Sequence, residues 1–271
     1  MYVSVLNDAG APVPDLGPAD FVVREDNVAR EVLRVAPAVE PMQIAILIDN
    51  SVAATQYITD IRNAVRDLVT VLTTPSETTG RNELAIITLA DRPTTLTDYT
   101  TSRAQLLKGI DRIFAQPQSG TLLLEGLIDV SKAVKTKGAT RPVIIAIVTE
   151  GPELSERYYD LVLQPLQRSG AAFHAIVVGT PAGGMGDAER DRGVVLDRGT
   201  KDTGGRRDNV LTSMSLGPKL KEVADELTHQ YRVTYARPQS LIPPERVTVT
   251  AARPGLTARG TLITDRGPWT P

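Results

Sequence analysis

One stretch of this chain limits its fold more than any other. Val143 to Val148 is six consecutive apolar residues, five of them β-branched, with no polar residue to face water on either side. A strand of that kind is buried on both faces, which in practice means the interior of a parallel sheet covered by helices. Ile44 to Ile48 repeats the pattern, and Leu84 to Leu89 and Ala171 to Val178 follow it with one polar residue each, Thr88 and His174. Between these runs the hydrophobic period changes to that of a helix. Over residues 55–73, Ile58, Ile61, Val65, Leu68, Val69 and Leu72 fall on one face. Ser102 caps a helix carrying Leu106, Leu107, Ile110, Ile113 and Phe114, and Thr121 opens another with Leu124, Leu127, Ile128 and Val134. Ser155 caps a helix that runs to Arg168 with a kink at Pro165. Leu216 to His229 is the last amphipathic stretch, with Leu220, Val223, Ala224 and Leu227 inward. Strand and helix in alternation predict an α/β fold, a doubly wound and mostly parallel sheet flanked by helices.

Both ends of the chain read differently. Tyr2 to Leu6, Phe21 to Asn27 and Val28 to Val35 are strand-like, with Val32, Leu33 and Val35 free for burial. Arg232 to Tyr235, Arg246 to Thr250 and Leu256 to Ile263 alternate with period two. An isolated hairpin is marginal in water, so the two ends are expected to pair into one small β module. The division that follows is an N-terminal β segment over 1–38, an α/β domain over 39–231 and a C-terminal β segment over 232–271. Residues 179–209, Gly-rich and charged, read as a long loop with room for one short helix.

Composition removes several kinds of chemistry. The chain has no cysteine, so disulfides, thiolate catalysis and cysteine-bound zinc are excluded. Its two histidines, His174 in an apolar run and His229 at a helix end, fit a core position and a cap better than a metal site or a general base. Thirty basic and 32 acidic residues leave a net charge of −2, and no block of like charge suggests nucleic acid. The Arg206-Arg207 pair reads as solvated. No segment reaches the ~20 apolar residues of a membrane span, and the chain starts directly on a strand, as one cut after a leader would.

In an open parallel sheet, ligands bind beyond the carboxyl ends of the strands. Three distant segments should meet there: Asp49-Asn50-Ser51, Gln118-Ser119-Gly120-Thr121 and Thr149-Glu150-Gly151. Together they gather two carboxylates and two hydroxyls, an all-oxygen set suited to a hard divalent cation. The simpler assignment gives Ser51 and Thr121 to helix capping and Asp49 to a nearby arginine.

Asp49-Asn50-Ser51-Val52-Ala53 resembles the Asp-x-Ser-x-Ser motif of von Willebrand factor type A domains. Ser119-Gly120-Thr121 is similar to that family's Gly-Thr loop, and Val148-Thr149-Glu150-Gly151 to its Thr-Asp-Gly loop. Val13 to Asp26, Leu227 to Tyr235 and Arg253-Pro254-Gly255-Leu256 resemble flanking segments of a bacterial subgroup. The resemblance implies a metal-ion-dependent adhesion site built by Asp49, Ser51, Thr121 and Glu150, holding Mg²⁺ or another divalent cation. It implies another protein as partner, export from the cell and no catalysis. Two departures imply a degenerate site. Ala53 replaces the third motif serine, and Glu150 replaces an aspartate and carries its carboxylate one methylene further.

Enzymes of similar architecture fit poorly. No glycine follows the first central strand, as dinucleotide binding needs. Ser51 stands where a phosphoaspartyl hydrolase needs its second aspartate, Gly179-Thr180 where a receiver domain needs lysine, and no serine-hydrolase elbow is present. The alternatives that stay open are metal-independent binding through the β module or through 179–209, and a hydrolase of unrecognised site.

Overall fold

The computed structural model describes residues 1–74, 80–180, 186–237, 244 and 246–261. The expected final strand therefore extends beyond the described residues at 262 and 263. In chain order the strands are β1 (Tyr2–Asn7), β2 (Phe21–Glu25), β3 (Val28–Arg30), β4 (Val32–Pro37), β5 (Met42–Ile48), β6 (Glu83–Thr88), β7 (Thr94–Thr100), β8 (Arg141–Thr149), β9 (Ala172–Val178), β10 (Arg207–Val210), β11 (Tyr231–Tyr235), β12 (Val247–Ala251) and β13 (Leu256–Thr261). The helices are α1 (Ile58–Leu72), α2 (Arg103–Asp111), α3 (Leu123–Lys137), α4 (Tyr159–Ser169), α5 (Asp187–Val194), α6 (Thr200–Asp202) and α7 (Leu216–Thr228).

The apolar runs form the middle of a six-stranded sheet in the order β10-β9-β8-β5-β6-β7. Every pair is parallel except β6 with β7, an antiparallel edge strand. All nine residues of β8 are buried, as its composition requires. Side chains alternate across the sheet. Ile44, Ile46 and Ile48 pack with α1, α2 and α7, while Ala45 and Leu47 pack with α3 and α4. This doubly wound arrangement brings the carboxyl ends of β5, β6, β8, β9 and β10 to one rim.

Strands from both chain ends form two further sheets, β13-β1-β11-β4 and β12-β2-β3. They share an apolar core that includes Val3, Val5, Phe21, Val23, Val233 and Val249, with the Phe21 and Tyr231 rings edge to face at 5.9 Å. Arg141, at the start of β8, joins this module to the central sheet. Its guanidinium is buried and donates to the carbonyls of Ala38, Glu40 and Leu227 and to Gln230 Oε1. Gln230 Nε2 in turn donates to Ser4 Oγ at 2.9 Å.

The structure corrects several local expectations. Residues 187–202 are helical almost throughout: α5 passes through a π turn (Val195–Gly199) into α6, and β10 follows as a sheet edge. A charged stretch with little amphipathic period had read as loop, and only burial of Val195 and Leu196 on the sheet makes it helical. Leu33 and Phe114 are exposed, because β4 is an edge strand and α2 ends before Phe114. Arg206 is no solvated loop residue. It is paired with Asp208 and Glu222, both at 2.6 Å. His174 is fully buried, and His229 closes α7.

Candidate functional site at the rim of the central sheet

Because β5 and β8 are parallel neighbours, with Ile48 opposite Ile147, the residues just past their ends stand side by side. Asp49 is fully buried there. Its carboxylate accepts hydrogen bonds from the backbone N–H of Ser51 at 2.8 Å and of Thr149 at 3.0 Å, and from the Thr149 hydroxyl. The arginine partner considered for Asp49 is replaced by these N–H and O–H donors. The next residue fastens the rim sideways. Asn50 donates to the Phe114 carbonyl at 3.0 Å and accepts from the Ala90 N–H at 2.9 Å. Its own carbonyl accepts from Gln116 N–H at 2.7 Å. The 115–122 loop is thereby drawn toward the end of β5, and Val52 N–H reaches Ser119 O at 3.3 Å.

Ser51 and Thr121 are both buried, yet neither caps a helix. Ser51 precedes a 3₁₀ segment (Val52–Tyr57) without a side-chain cap bond, and α3 starts two residues after Thr121. Ser51 Oγ and Thr121 Oγ1 have no hydrogen-bond partner among the described residues. Capping therefore does not account for either hydroxyl. Thr121 is fixed through its backbone instead, donating to Pro152 O at 3.0 Å and accepting from Leu154 N–H at 2.8 Å. Gly120 permits this close crossing: a Cβ there would lie 2.9 Å from Pro152 O.

A residue that sequence reading passed over stands at the start of α3. Glu153, buried in the loop after β8, accepts from Ser155 N–H at 3.2 Å and lies near the backbone N–H of Leu123. Burial, above all, pushes its carboxyl up to about 7 against these hydrogen bonds and the nearby Arg192 charge. Its Oε2 has no hydrogen-bond partner among the described residues. Ser155, expected to cap α4, instead accepts from Glu125 N–H at 3.4 Å, and α4 begins only at Tyr159. An acidic residue and a serine one turn beyond a strand are a capping signal, but their helix lies 30 residues back in the chain. No local pattern gives that.

Glu150 is placed on the rim but committed elsewhere. Its carboxylate pairs with the nearly buried Arg192 of α5 at 3.2 Å. Arg192 also donates to Gly151 O at 2.8 Å and Thr149 O at 3.3 Å, bracing the whole loop. Ala53 faces that loop too, since a Cβ at Gly151 would lie 2.4 Å from the Ala53 methyl. The sequence-derived set thus divides. Asp49, Ser51 and Thr121 offer a carboxylate and two uncommitted hydroxyls, a donor set that fits a hard cation. Glu150 is neutralised by a guanidinium, and Ala53 brings no oxygen. Among the described residues no three acidic or histidine side chains gather as a metal centre.

The surrounding loops expose Val52, Phe114, Leu154, Tyr158, Leu211 and Met214, all following strand ends or helices on this side. Phe114 lies beneath the Arg62 guanidinium at 4.5 Å.

The von Willebrand factor type A domain family matches residues 44–152. A comparison with curated proteins found no match. Among solved structures, the von Willebrand factor type A protein from Catenulispora acidiphila is similar at 15% identity and a TM-score of 0.53, over 84% of this chain and 50% of that one. Proximal thread matrix protein 1 from the mussel byssus, solved with a zinc-occupied MIDAS motif, is similar at 16% identity and a TM-score of 0.58, over 75% and 50%. The conserved hypothetical protein BatB from Bacteroides thetaiotaomicron aligns at 16% identity and a TM-score of 0.50, over 70% and 99%. This chain thus spans half the length of the first two. At such identities the structural likeness speaks for the fold, while the sequence match speaks for the family. Residues 44–152 thus match the von Willebrand factor type A domain family, on a fold that the similar structures share.

Proposed function

We propose that this chain is a non-catalytic protein-binding module whose 39–231 region recognises a partner through the rim beyond β5, β6 and β8, and that Asp49, Ser51 and Thr121 hold a divalent cation there. The observation that carries the reading is the pair of buried hydroxyls, Ser51 Oγ and Thr121 Oγ1, without partners beside a buried carboxylate. A buried hydroxyl left unpaired costs about 1–3 kcal/mol, and a cation would offset that cost. The zinc-occupied motif of the mussel byssus protein supports the same assignment. The exposed apolar side chains around the rim supply the kind of surface on which a protein partner docks. The family resemblance also favours export, and among the described residues no helix is long and apolar enough to cross a membrane.

The test is thermal unfolding of the whole chain with chelator and with millimolar Mg²⁺ or Mn²⁺. A cation at about 100 times its Kd adds about 2.7 kcal/mol to the folded state. The melting temperature should rise in the native chain and stay unchanged in Asp49→Ala. An equal rise in that variant would reject the cation site at Asp49.

A second reading is favoured by the Glu150–Arg192 ion pair, which supplies a resident positive charge where a cation's second carboxylate would be needed. On that reading binding is metal-independent and uses the β module or 179–209. Partner capture that survives both chelation and Asp49→Ala would select it.

A further inference from the structure

A second recessed surface lies at the opposite end of the molecule from the rim. An open groove of about 980 Å³ runs between the segment Thr200–Arg207, which leads into β10, and the strands β12 and β13. Its floor and walls include two edge strands. Among the described residues β12 pairs only with β2, and β13 only with β1. The direction of the free groups follows from the ladder. Asp26 N–H donates to Arg246 O, and Ala252 N–H donates to Asp20 O. In an antiparallel pair the bonded residues alternate, so 246, 248, 250 and 252 turn their backbone groups toward β2. Val247 and Val249 therefore present their N–H and C=O groups outward, and both line the groove. On β13 the neighbouring Gly260 is crowded by Gly204, whose Cβ would lie 2.4 Å from the Gly260 carbonyl. β12 lies alongside β13 with no ladder between them among the described residues, and its Val247 and Val249 border the groove.

Among the described residues the charges lining the groove are mostly basic: Arg198, Lys201, Arg206, Arg207, Arg246 and Arg259 stand against one carboxylate, Asp202. Three of these cations are neutralised: Arg206 by Asp208 and Glu222, Arg207 by Asp197, and Arg259 by Glu226. Arg198, Lys201 and Arg246 form no ion pair among the described residues. An unpaired strand edge accepts another extended chain by main-chain hydrogen bonding, and flanking side chains select which one. Like charges repel a basic strand and attract an acidic one.

We infer that this groove is a docking site for an extended acidic peptide segment of a partner protein, which adds as a strand along Val247–Val249 and meets Arg198, Lys201 and Arg246 with its carboxylates. This site is independent of the rim reading.

The test uses the whole chain and a fluorescein-labelled peptide of alternating Glu and Val, about seven residues long, a common strand length. Anisotropy should show saturable binding at least about tenfold tighter than for the matching Lys and Val peptide, and the Lys201→Glu/Arg246→Glu double variant should lose at least about tenfold. Both substituted residues are exposed, so folding should be retained, and circular dichroism checks it. Methylating the peptide's valine nitrogens should abolish binding. Peptide affinity should be the same in chelator and in millimolar Mg²⁺, which separates this site from the rim. Equal affinity for the acidic and basic peptides, full binding by the double variant, or full binding of the methylated peptide would each overturn the proposal. So would sedimentation showing a dimer that the acidic peptide does not dissociate, because the edge would then belong to a second copy.

Discussion

The two hydroxyls at the rim act in opposite directions with and without a cation. Thr121 Oγ1 is buried without a partner among the described residues. Thr121→Val keeps the shape and removes the unpaired oxygen. In chelator the variant should be as stable as the native chain or more so by about 1 kcal/mol, while its melting temperature should no longer respond to Mg²⁺. A stability loss in chelator would mean that the hydroxyl already has a partner. Gly151 gives a second test at this scale, since a Cβ there would lie 2.4 Å from that of Ala53. Gly151→Ala should cost about 1–3 kcal/mol in urea unfolding, and Ala53→Gly in the same chain should restore most of it. The pair decides whether position 53 is alanine for packing reasons.

At the scale of elements, α3 depends on a loop from elsewhere in the chain. Ser155 closes its N-terminus, and beside it burial holds the Glu153 carboxyl at about 7 instead of the ordinary 4.5. A carboxyl whose folded value is raised stabilises the fold most when neutral. Its contribution is full below about 4.5 and is lost as pH rises through about 7. Glu153→Gln, neutral at every pH, should match the native chain at the acid end of this window and exceed it in stability above the window. Denaturant midpoints at the two ends of the range check this, and a constant difference would show that the folded value of Glu153 is not raised. Arg192 ties α5 to the same loop through three contacts. Arg192→Met leaves Glu150 and two carbonyls without their donor. It should destabilise by about 3 kcal/mol or more, the usual cost of removing one partner from a largely buried pair.

Across the whole molecule, the β module and the central sheet meet at Arg141. Its guanidinium satisfies three carbonyls and the Gln230 amide oxygen in a buried setting. Arg141→Ala would leave several buried acceptors unpaired at about 1–3 kcal/mol each. Hydrogen exchange should then quicken first in β1, β11 and β13, with β5 and β8 protected longer, because the module loses its anchor while the central core keeps its own. Uniform quickening would show that the two parts unfold as one unit.

What the sequence determined by itself was whatever follows from local period and burial. The all-apolar run at Val143–Val148 dictated a doubly covered strand, and the helical spacing of Ile61, Val65, Leu68 and Leu72 dictated a helix laid upon it. The motif at Asp49-Asn50-Ser51 was legible for the same reason: its spacing is short and lies within one loop. Tertiary structure alone decided the partners. It decided that Ser155 caps α3, that Arg192 takes Glu150, that Val195 and Leu196 turn a charged stretch into helix, and that the Ser51 and Thr121 hydroxyls are left without partners among the described residues. Each depends on residues about 30 or more positions apart, or on a surface the local sequence does not contain. A buried polar group takes its partner from whatever the fold brings nearest, and chain order does not record that distance.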